Sequence, residues 1–341
     1  MEKIMKREYV LGVDGGNTKT HYFLYDGDGN FVDGIEAGTC SHEALSDSFA
    51  GTRRELGRRT EELFSRNGIG AGDIACAVFG LAGADFGYQK KRLSDIVSEL
   101  GFRHFIVEND GFLGLKAGSR TGTGICCING TGTVTVGINS NGERLQCGGV
   151  GEISSDRAGA HFIALRGLAA IYDMLFRRGE DTSLKDMFYR DFAVSSDEEF
   201  VLKATEAVGR KEEVLRINKM MEDADAEGDG AVRKVLAQTG AELARTVAGC
   251  ADRLHMEGEI ELILAGSVWT KGKFGTMYRI FGEKLREDSG RRYVFSKLKQ
   301  PPVTGAVIWA LEEYRKSRAE TEIFDFRKKV LTGEMLSAIG Y

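Results

Sequence analysis

The first forty residues alternate short apolar segments with polar turns. Residues Tyr9–Val13 form an apolar run typical of a buried strand, and the glycine-rich turn Asp14–Thr20 follows it. A second apolar run, His21–Tyr25, leads through the polar turn Asp26–Asn30 into a third, Phe31–Ile35. The pattern predicts a three-strand meander whose first turn contains more glycine than a hairpin requires.

The same pattern returns about 115 residues later. Ile125–Ile128 is an apolar strand, Asn129–Thr133 a glycine turn and Val134–Ile138 a second strand. Asn139–Gly142 then turns into a third strand, Glu143–Gln146. Because solenoid repeats have periods of roughly 20 to 50 residues, this spacing indicates a duplicated domain instead.

Helical and strand patterns alternate after the first meander. Apolar positions at helical spacing occur over Leu45–Phe64 and Leu93–Leu100, and apolar strand segments occur at Ile74–Phe79 and Phe105–Val107. Such alternation predicts an α/β sheet with helices on its faces.

The second half of the chain is predicted to be mostly helical. The helices span Arg157–Phe176, Glu198–Met221 and Ala231–His255, and a strand at Ile260–Ala265 and a helix at Gly305–Ser317 close the second lobe. A single core seldom grows beyond roughly 250 to 300 residues, so two lobes are expected, 1–116 and 117–341. The charged tail Thr321–Tyr341 has no predicted position.

Composition narrows the class of protein. The 341 residues include 45 glycines, of which 28 lie at or before Gly151, and only two prolines. Hydrophobic residues make up 42% of the chain, which is enough for a core and excludes a disordered or collagen-like chain. A net charge of −5 argues against a nucleic-acid binder. The absence of a signal peptide or a long apolar run predicts a cytoplasmic protein without membrane partners.

The six cysteines do not form a metal-binding or disulfide pattern. None has the C-x-x-C spacing of a zinc site, and Cys126 and Cys127 lie in an apolar run, where core packing is expected.

Two glycine loops, Asp14–Thr20 and Asn129–Thr133, follow equivalent strands of the duplicated pattern. Glycine allows the backbone to approach phosphate oxygens closely and to present its N–H groups. Neither the P-loop pattern nor G-x-G-x-x-G after a strand occurs in the chain, so other kinds of phosphate loop are predicted.

Two aspartates end predicted strands. Asp14 directly precedes Gly15, and a carboxylate beside a phosphate loop would need a cation such as Mg²⁺ between them. Asp110 precedes Gly111 and could act as a general base. The structural alternatives are that Asp14 only favours its own turn and that Asp110 only caps a helix.

Five segments in register resemble the BadF/BadG/BcrA/BcrD ATPase family, and within it the N-acetylglucosamine kinases of the actin, hexokinase and Hsp70 superfamily. These segments are Asp14–Thr20, Asp110-Gly111, Gly130–Thr133, Cys147–Gly151 and Ala265–Trp269. The resemblance covers most of the chain, from Tyr9 to Leu311. It implies two ribonuclease H-like lobes, built as duplicated βββαβαβα units, with an active-site cleft between them.

The resemblance also implies ATP and Mg²⁺ as cofactors. It assigns Asp14 to the metal and Asp110 to proton abstraction from the acceptor hydroxyl. The residues implied to contact the nucleotide are Asp14, Gly15, Gly16, Asn17, Thr18, Gly130, Thr131, Gly132, Thr133, Ala265, Gly266 and Ser267. The expected assembly is a homodimer.

The acceptor side departs further from the family pattern. Residues implied to contact the sugar are Ser41, His42, Gly83, Asp85, Asp110, Gly149 and Asp156. Val150 stands where the family has Trp, and Arg157 follows Asp156 where the family has Glu. Loss of an indole opens space, so N-acetylmuramic acid, unsubstituted glucosamine or another hexose joins N-acetylglucosamine as an expected acceptor.

The resemblance therefore implies an ATP-dependent amino-sugar kinase acting at the 6-hydroxyl. Two other functions occur on related proteins. An ATPase activator of radical dehydratases would hold an iron–sulfur cluster through cysteines, and a sugar-responsive repressor would need a DNA-binding segment. The buried setting predicted for Cys126 and Cys127, and a first strand that begins at Tyr9, disfavour them.

Overall fold

The computed structural model describes residues 8–288 and 290–318. Expectations for residues 1–7, 289 and 319–341, including the tail Thr321–Tyr341, lie outside the described residues. The described chain divides into two compact units. Among the described residues, unit 1 contains 8–123 together with 298–318, and unit 2 lies within 124–297.

The described residues form the following strands and helices, each numbered in chain order. The strands are β1 (Tyr9–Gly15), β2 (Lys19–Asp26), β3 (Phe31–Gly38), β4 (Ile74–Leu81), β5 (Phe105–Glu108), β6 (Gly124–Asn129), β7 (Thr133–Ile138), β8 (Arg144–Gly148), β9 (Gly258–Ala265) and β10 (Arg291–Lys297). The helices are α1 (Ser48–Asn67), α2 (Gly87–Glu99), α3 (Gly111–Gly118), α4 (Ala160–Phe176), α5 (Leu184–Asp191), α6 (Asp197–Val208), α7 (Lys211–Glu227), α8 (Gly230–Arg253), α9 (Ser267–Thr270), α10 (Gly275–Arg286) and α11 (Val303–Ser317).

The two sheets have the same topology. In unit 1 the order is β3-β2-β1-β4-β5, and in unit 2 it is β8-β7-β6-β9-β10. Each sheet begins with an antiparallel meander of three strands and continues with two strands parallel to the first. The duplication predicted from the repeated glycine turns is therefore present at the level of whole sheets.

The sheet of unit 1 is buried on both faces. Leu11 and Val13 of β1 join the core formed with α1 and α2. On the opposite face α11 packs so closely that a Cβ atom at Gly12 would lie 2.7 Å from a methyl carbon of Val307. Burial on both faces explains why β1 reads as a continuous apolar run.

The core of unit 2 is larger than that of unit 1. Five helices, α4 to α8, follow β8 in the chain before β9 begins, and their apolar side chains add to this core. Helix α8 begins at a side-chain cap, in which Asp229 Oδ1 accepts a hydrogen bond from the backbone N–H of Val232 at 2.9 Å. Helix α8 packs along α10 and against the meander strands.

Two expectations differ from this architecture, and one strand was not expected. The helix predicted over Glu198–Met221 is two helices, α6 and α7, because Arg210 adopts an extended conformation between them. Strand β10 was not predicted, since an edge strand with mostly exposed side chains lacks a continuous apolar run. Helix α11 packs on β1, β4 and α3 of unit 1, and so does not close the second lobe.

Candidate phosphate-binding and acceptor sites

Three neighbouring parallel strands of unit 1 bring the predicted carboxylates to one edge of the sheet. Asp14 of β1 pairs with Gly80 of β4, and Gly80 pairs with Glu108 of β5. Asp14 therefore lies at the same end of the sheet as the segments after β4 and β5 that carry Asp85 and Asp110. In open α/β sheets this carboxyl edge is where ligands bind.

Two hydrogen bonds hold the turn after β1 in place. The backbone N–H of Gly16 donates to the carbonyl of Lys19 at 3.0 Å, and the Thr39 hydroxyl donates to the carbonyl of Gly16 at 2.8 Å. A Cβ atom at Gly15 would lie 2.7 Å from the sulfur of Cys40, so glycine is needed there. Asn17 and the following Thr18 are exposed, as a loop that meets phosphate requires.

Asp14 shares a cross-strand row with two residues that sequence reasoning did not select. Asp14 pairs with His21 on β2, and His21 pairs with Glu36 on β3. The buried His21 ring lies 2.8 Å from Glu36 Oε2 through Nε2 and 3.9 Å from Asp14 Oδ2 through Nδ1. Lys19 also contacts Glu36, at 3.2 Å, so its ammonium is paired there in this structure.

Asp110 lies at the first turn of α3 and is half-buried. Its side chain makes no capping hydrogen bond to the helix; instead Asn109 Oδ1 accepts from the backbone N–H of Gly111 at 2.8 Å. Burial, followed by the nearby carboxylates of Asp14 and Asp85, raises the pKa of Asp110 to about 7. A carboxylate that titrates near neutral pH is suited to accept a proton.

The acceptor-side loop of unit 1 is built around Gly83. Gly83 has φ +79°, and a Cβ atom there would lie 2.6 Å from His42 Cε1 and 2.8 Å from Glu43 Cδ. Asp85 Oδ1 accepts a hydrogen bond from the Asn109 side chain at 2.9 Å. Sequence reasoning selected neither Glu43 nor Asn109, because neither belongs to a recognisable motif.

His42 lies against Gly83 of this loop, and Ser41 directly precedes His42 in the chain. Both are buried, and the His42 ring stacks on Phe49 with centroids 4.2 Å apart. His42 Nε2 lies 3.3 Å from the side-chain nitrogen of Gln89, and burial lowers the pKa of His42. These contacts support the loop that carries Gly83 and Asp85.

In unit 2 the two predicted nucleotide loops touch each other. Ile128 of β6 pairs with Ala265 of β9, so the loops that follow these strands are neighbours. A Cβ atom at Gly266, which has φ +91°, would lie 2.4 Å from the carbonyl oxygen of Asn129. Only glycine permits this approach between the two backbones.

The loop after β6 is exposed at its tip and anchored at its base. Thr131 and Gly132 are exposed, whereas the Thr133 hydroxyl donates to the carbonyl of Ile128 at 2.9 Å. The first turn of α4 is joined to the same loop, since Asn129 Oδ1 accepts from the backbone N–H of Gly159 at 2.7 Å. The exposed tip leaves backbone groups available to a phosphate.

Asp156 anchors the glycine loop that follows β8. Its carboxylate accepts from the backbone N–H of Gly149 at 3.0 and 3.1 Å and from that of Gly151 at 2.6 Å. Both glycines have positive φ. The loop exposes an apolar tip, because Ile153 is 91% accessible and carries no polar group.

The cysteines do not assemble a metal centre within the described residues. Cys126 and Cys127 are adjacent on β6 and buried, which confirms their expected core position. No cluster of three or more His, Cys, Asp or Glu residues suited to hold a metal occurs in residues 8–288 and 290–318. Within the same described residues, no helix has the length and apolar character needed to cross a membrane.

Comparison with known proteins supports the family resemblance. The chain matches the family model described as BadF/BadG/BcrA/BcrD ATPase family over residues 11–310. A protein of Clostridium acetobutylicum named N-acetylmuramic acid/N-acetylglucosamine kinase is 26% identical over 319 residues, which are 90% of this chain and 99% of that protein.

Solved structures confirm the predicted α/β fold. A candidate N-acetylglucosamine kinase from Chromobacterium violaceum has a TM-score of 0.63 at 20% identity, covering 89% of this chain and 99% of its own. An ROK hexokinase from Thermus thermophilus has a TM-score of 0.55 at 13% identity, covering 91% and 99%. At sequence identities of 20% and 13%, these similarities show a shared fold.

Proposed function

Because the chain belongs to the BadF/BadG/BcrA/BcrD ATPase family, we propose that it is an ATP-dependent kinase of N-acylated amino sugars. The observation that carries the proposal is the position of Asp110, a half-buried carboxylate between β5 and α3 at the edge of the sheet where β1 also ends with Asp14. Phosphoryl transfer needs such a base to accept the proton of the attacking hydroxyl. The name of the Clostridium acetobutylicum relative supports an amino sugar as acceptor.

The phosphate loops of each unit are proposed to contact nucleotide. In unit 1 the proposed segment is the backbone of Gly15–Thr18. In unit 2 the proposed segments are Gly130–Thr133 and Ala265–Ser267, whose loops are neighbours within that unit. The exposure of Asn17, Thr18, Thr131 and Gly132 supports phosphate contacts by these loops.

The carboxylates of unit 1 fit a divalent cation. Asp14 and Asp85 both raise the pKa of Asp110, so this edge of the sheet carries negative charge that a cation would offset. Mg²⁺ is usually held by one or two carboxylates together with substrate phosphates, and Asp14 is the residue proposed to hold it. When bound, Mg²⁺ would neutralise charge on the phosphate groups.

In the proposed reaction, phosphoryl transfer is accompanied by transfer of one proton to the enzyme. The sugar hydroxyl oxygen forms a bond to the γ-phosphorus while the bond from that phosphorus to the bridging oxygen of ADP breaks. The hydroxyl proton passes to the Asp110 carboxylate. We assign the 6-hydroxyl as the nucleophile, since this exocyclic primary hydroxyl extends furthest from the ring.

The proposed roles on the acceptor side differ by residue. Asp85 and Gly83 border the sugar, whereas the buried His42 packs against Gly83. The Ser41 hydroxyl oxygen accepts a hydrogen bond from the backbone N–H of Glu43 at 3.3 Å and so shapes the segment that carries His42. Asp156 shapes the loop around Gly149 through its hydrogen bonds to backbone N–H groups.

The test is an ADP-release assay with N-acetylglucosamine, N-acetylmuramic acid, glucosamine, N-acetylmannosamine, glucose and no sugar. Turnover that depends on an N-acylated sugar is expected. ADP release at the same rate without sugar would contradict the kinase. For the position of transfer, 6-deoxy-N-acetylglucosamine should bind without being phosphorylated, and phosphorylation of it would move the reaction to another hydroxyl.

A further inference from the structure

Unit 1 exposes two aromatic rings next to each other. The side chains of Phe86 and Tyr88 are 49% and 64% accessible, and their ring planes are inclined by only 6° with centroids 6.1 Å apart. Exposed apolar surface rimmed by polar residues is a feature of ligand-binding sites, and here the pair adjoins the carboxylate of Asp85. Nothing in the proposed phosphoryl transfer uses these rings.

The pair lies beside the proposed acceptor site. Phe86 directly follows Asp85, and consecutive Cα atoms are about 3.8 Å apart. The side-chain carbonyl of Gln89 accepts from the backbone N–H groups of Asp85 and Phe86, at 3.2 and 2.8 Å. These two hydrogen bonds hold the aromatic segment to the loop that carries Asp85.

The backbone that presents the rings is fixed at both ends. Gln89 is buried and lies against His42, and Asp85 is held by the Asn109 side chain. Tyr88 stands in the first turn of α2, so its ring projects from a helix and not from a free loop. A surface fixed in this way loses little conformational entropy when a ligand binds.

A pyranose ring matches this surface. One face of such a ring presents C–H groups, and the face of an aromatic ring carries partial negative charge that attracts them. Polar atoms at the sugar rim would meet Asp85 and Glu43, which flank the same loop.

We propose that Phe86 and Tyr88 form a stacking platform for the pyranose ring of the sugar substrate, an inference that rests on the proposed kinase function. The platform contributes to sugar affinity and leaves nucleotide binding and the chemical step unaffected. It therefore determines which ring faces are accepted, favouring sugars with an uninterrupted C–H face.

The test compares the double variant Phe86→Ala/Tyr88→Ala with wild type in steady-state kinetics. The KM for the amino sugar should rise about tenfold or more, by analogy with the loss of a stacked base from an aromatic residue, while kcat and the KM for ATP stay within about twofold. Phe86→Tyr/Tyr88→Phe keeps two aromatic faces and should retain the wild-type sugar KM.

The chain offers a matched control. Tyr172 and Phe176 on α4 form another exposed aromatic pair, 42% and 47% accessible with centroids 4.9 Å apart. The variant Tyr172→Ala/Phe176→Ala removes the same kinds of side chain from unit 2 and should leave the sugar KM unchanged. Thermal melting of every variant shows whether folding is retained.

Three results would overturn the platform. They are an unchanged sugar KM in Phe86→Ala/Tyr88→Ala, an equal rise in the KM for ATP, or an equal effect of the Tyr172/Phe176 control. If wild type phosphorylates no sugar, the kinase proposal fails. Saturation-transfer NMR with N-acetylglucosamine then tests separately whether the aromatic platform binds the sugar. Transfer to the sugar ring protons that is present in wild type and lost in the double variant supports it; equal or absent transfer contradicts it.

Discussion

The side-chain amide of Asn109 donates a hydrogen bond to Asp85 Oδ1 over 2.9 Å, while its carbonyl oxygen accepts from the first turn of α3 at 2.8 Å. One side chain thus links the loop after β4 to the loop after β5. It holds in place the Asp85 carboxylate, which adds to burial and to Asp14 in raising the pKa of Asp110. The titration of Asp110 therefore depends on a neighbour that Asn109 keeps in place.

We expect kcat/KM to increase as the pH rises through about 7 and then to level, because only the deprotonated Asp110 accepts a proton. In Asp85→Asn one negative charge is removed, so the pKa of Asp110 falls and this acidic limb moves to lower pH. The asparagine oxygen still accepts from Asn109. Measurements of kcat/KM from pH 5 to 9 check the shift.

The control for this shift is Asp95→Asn, which removes an exposed carboxylate on α2 that pairs with Lys91. Its pH profile should coincide with that of wild type. An acidic limb at the same pH in Asp85→Asn and wild type would show that Asp85 does not act on the base.

Replacement of Asp110 by Asn should separate activity from stability. Turnover should fall at least a hundredfold with ATP affinity retained, since the amide cannot accept the proton. The pKa of Asp110 in the folded protein, about 7, lies above its ordinary value of 3.8, so between these pH values the folded state binds more protons. This group therefore makes the protein less stable as the pH rises through that window.

Asp110→Asn should accordingly melt at a higher temperature than wild type at pH 8, and the difference should shrink toward pH 5. Melting curves at both pH values check this, with Asp95→Asn as the neutral comparison. A lower melting temperature of Asp110→Asn at pH 8 would argue that the carboxylate stabilises the fold, and near-wild-type turnover would remove it from the mechanism.

The backbone-dependent part of the site could be predicted from the sequence. Asp14, Asp110 and the glycine loops follow apolar strands directly, and parallel neighbours place their carboxyl ends at one edge of a sheet. Local pattern was sufficient because each of these residues is positioned by its own strand.

The supporting residues could not be found in this way. His21 reaches Asp14 through strand pairing, and Asn109 reaches Asp85 across 24 positions of the chain. Such contacts depend on side-chain direction and register, which composition and spacing do not contain. Helix α11 was assigned to the wrong lobe for a related reason. The apolar pattern of a helix shows that one face is buried but does not identify the sheet against which it packs.

We expect Asp156→Asn to loosen the glycine loop of unit 2. The carboxylate accepts hydrogen bonds from the backbone N–H groups of Gly149 and Gly151, and an asparagine side chain has one oxygen in place of two. Hydrogen–deuterium exchange of residues 148–156 should accelerate, because a hydrogen bond to a charged group contributes about 1.5 to 3 kcal/mol. The sugar KM should rise, because the loop around Gly149 is held less firmly.

Asp173→Asn on α4 is the matched control, because Asp173 is a carboxylate of the same unit that pairs with Arg177. It should change neither the exchange of the loop nor the sugar KM. If exchange of residues 148–156 stays at the wild-type rate in Asp156→Asn, the carboxylate does not anchor this loop.

Two glycines of the same helix should respond to alanine in opposite directions. A Cβ atom at Gly240 of α8 would lie 2.5 Å from the carbonyl oxygen of Met277 on α10, whereas at Gly249 nothing lies within 4 Å. Alanine is favoured over glycine in a helix by about 0.8 to 1 kcal/mol, so Gly249→Ala should raise the free energy of unfolding by up to that amount. Gly240→Ala gains the same preference but must separate α8 from α10, and overpacking typically costs about 1 to 3 kcal/mol, so a net loss is expected. Urea denaturation of both variants measures the difference, and a gain in stability for Gly240→Ala would show that α10 can move away from α8 at little cost.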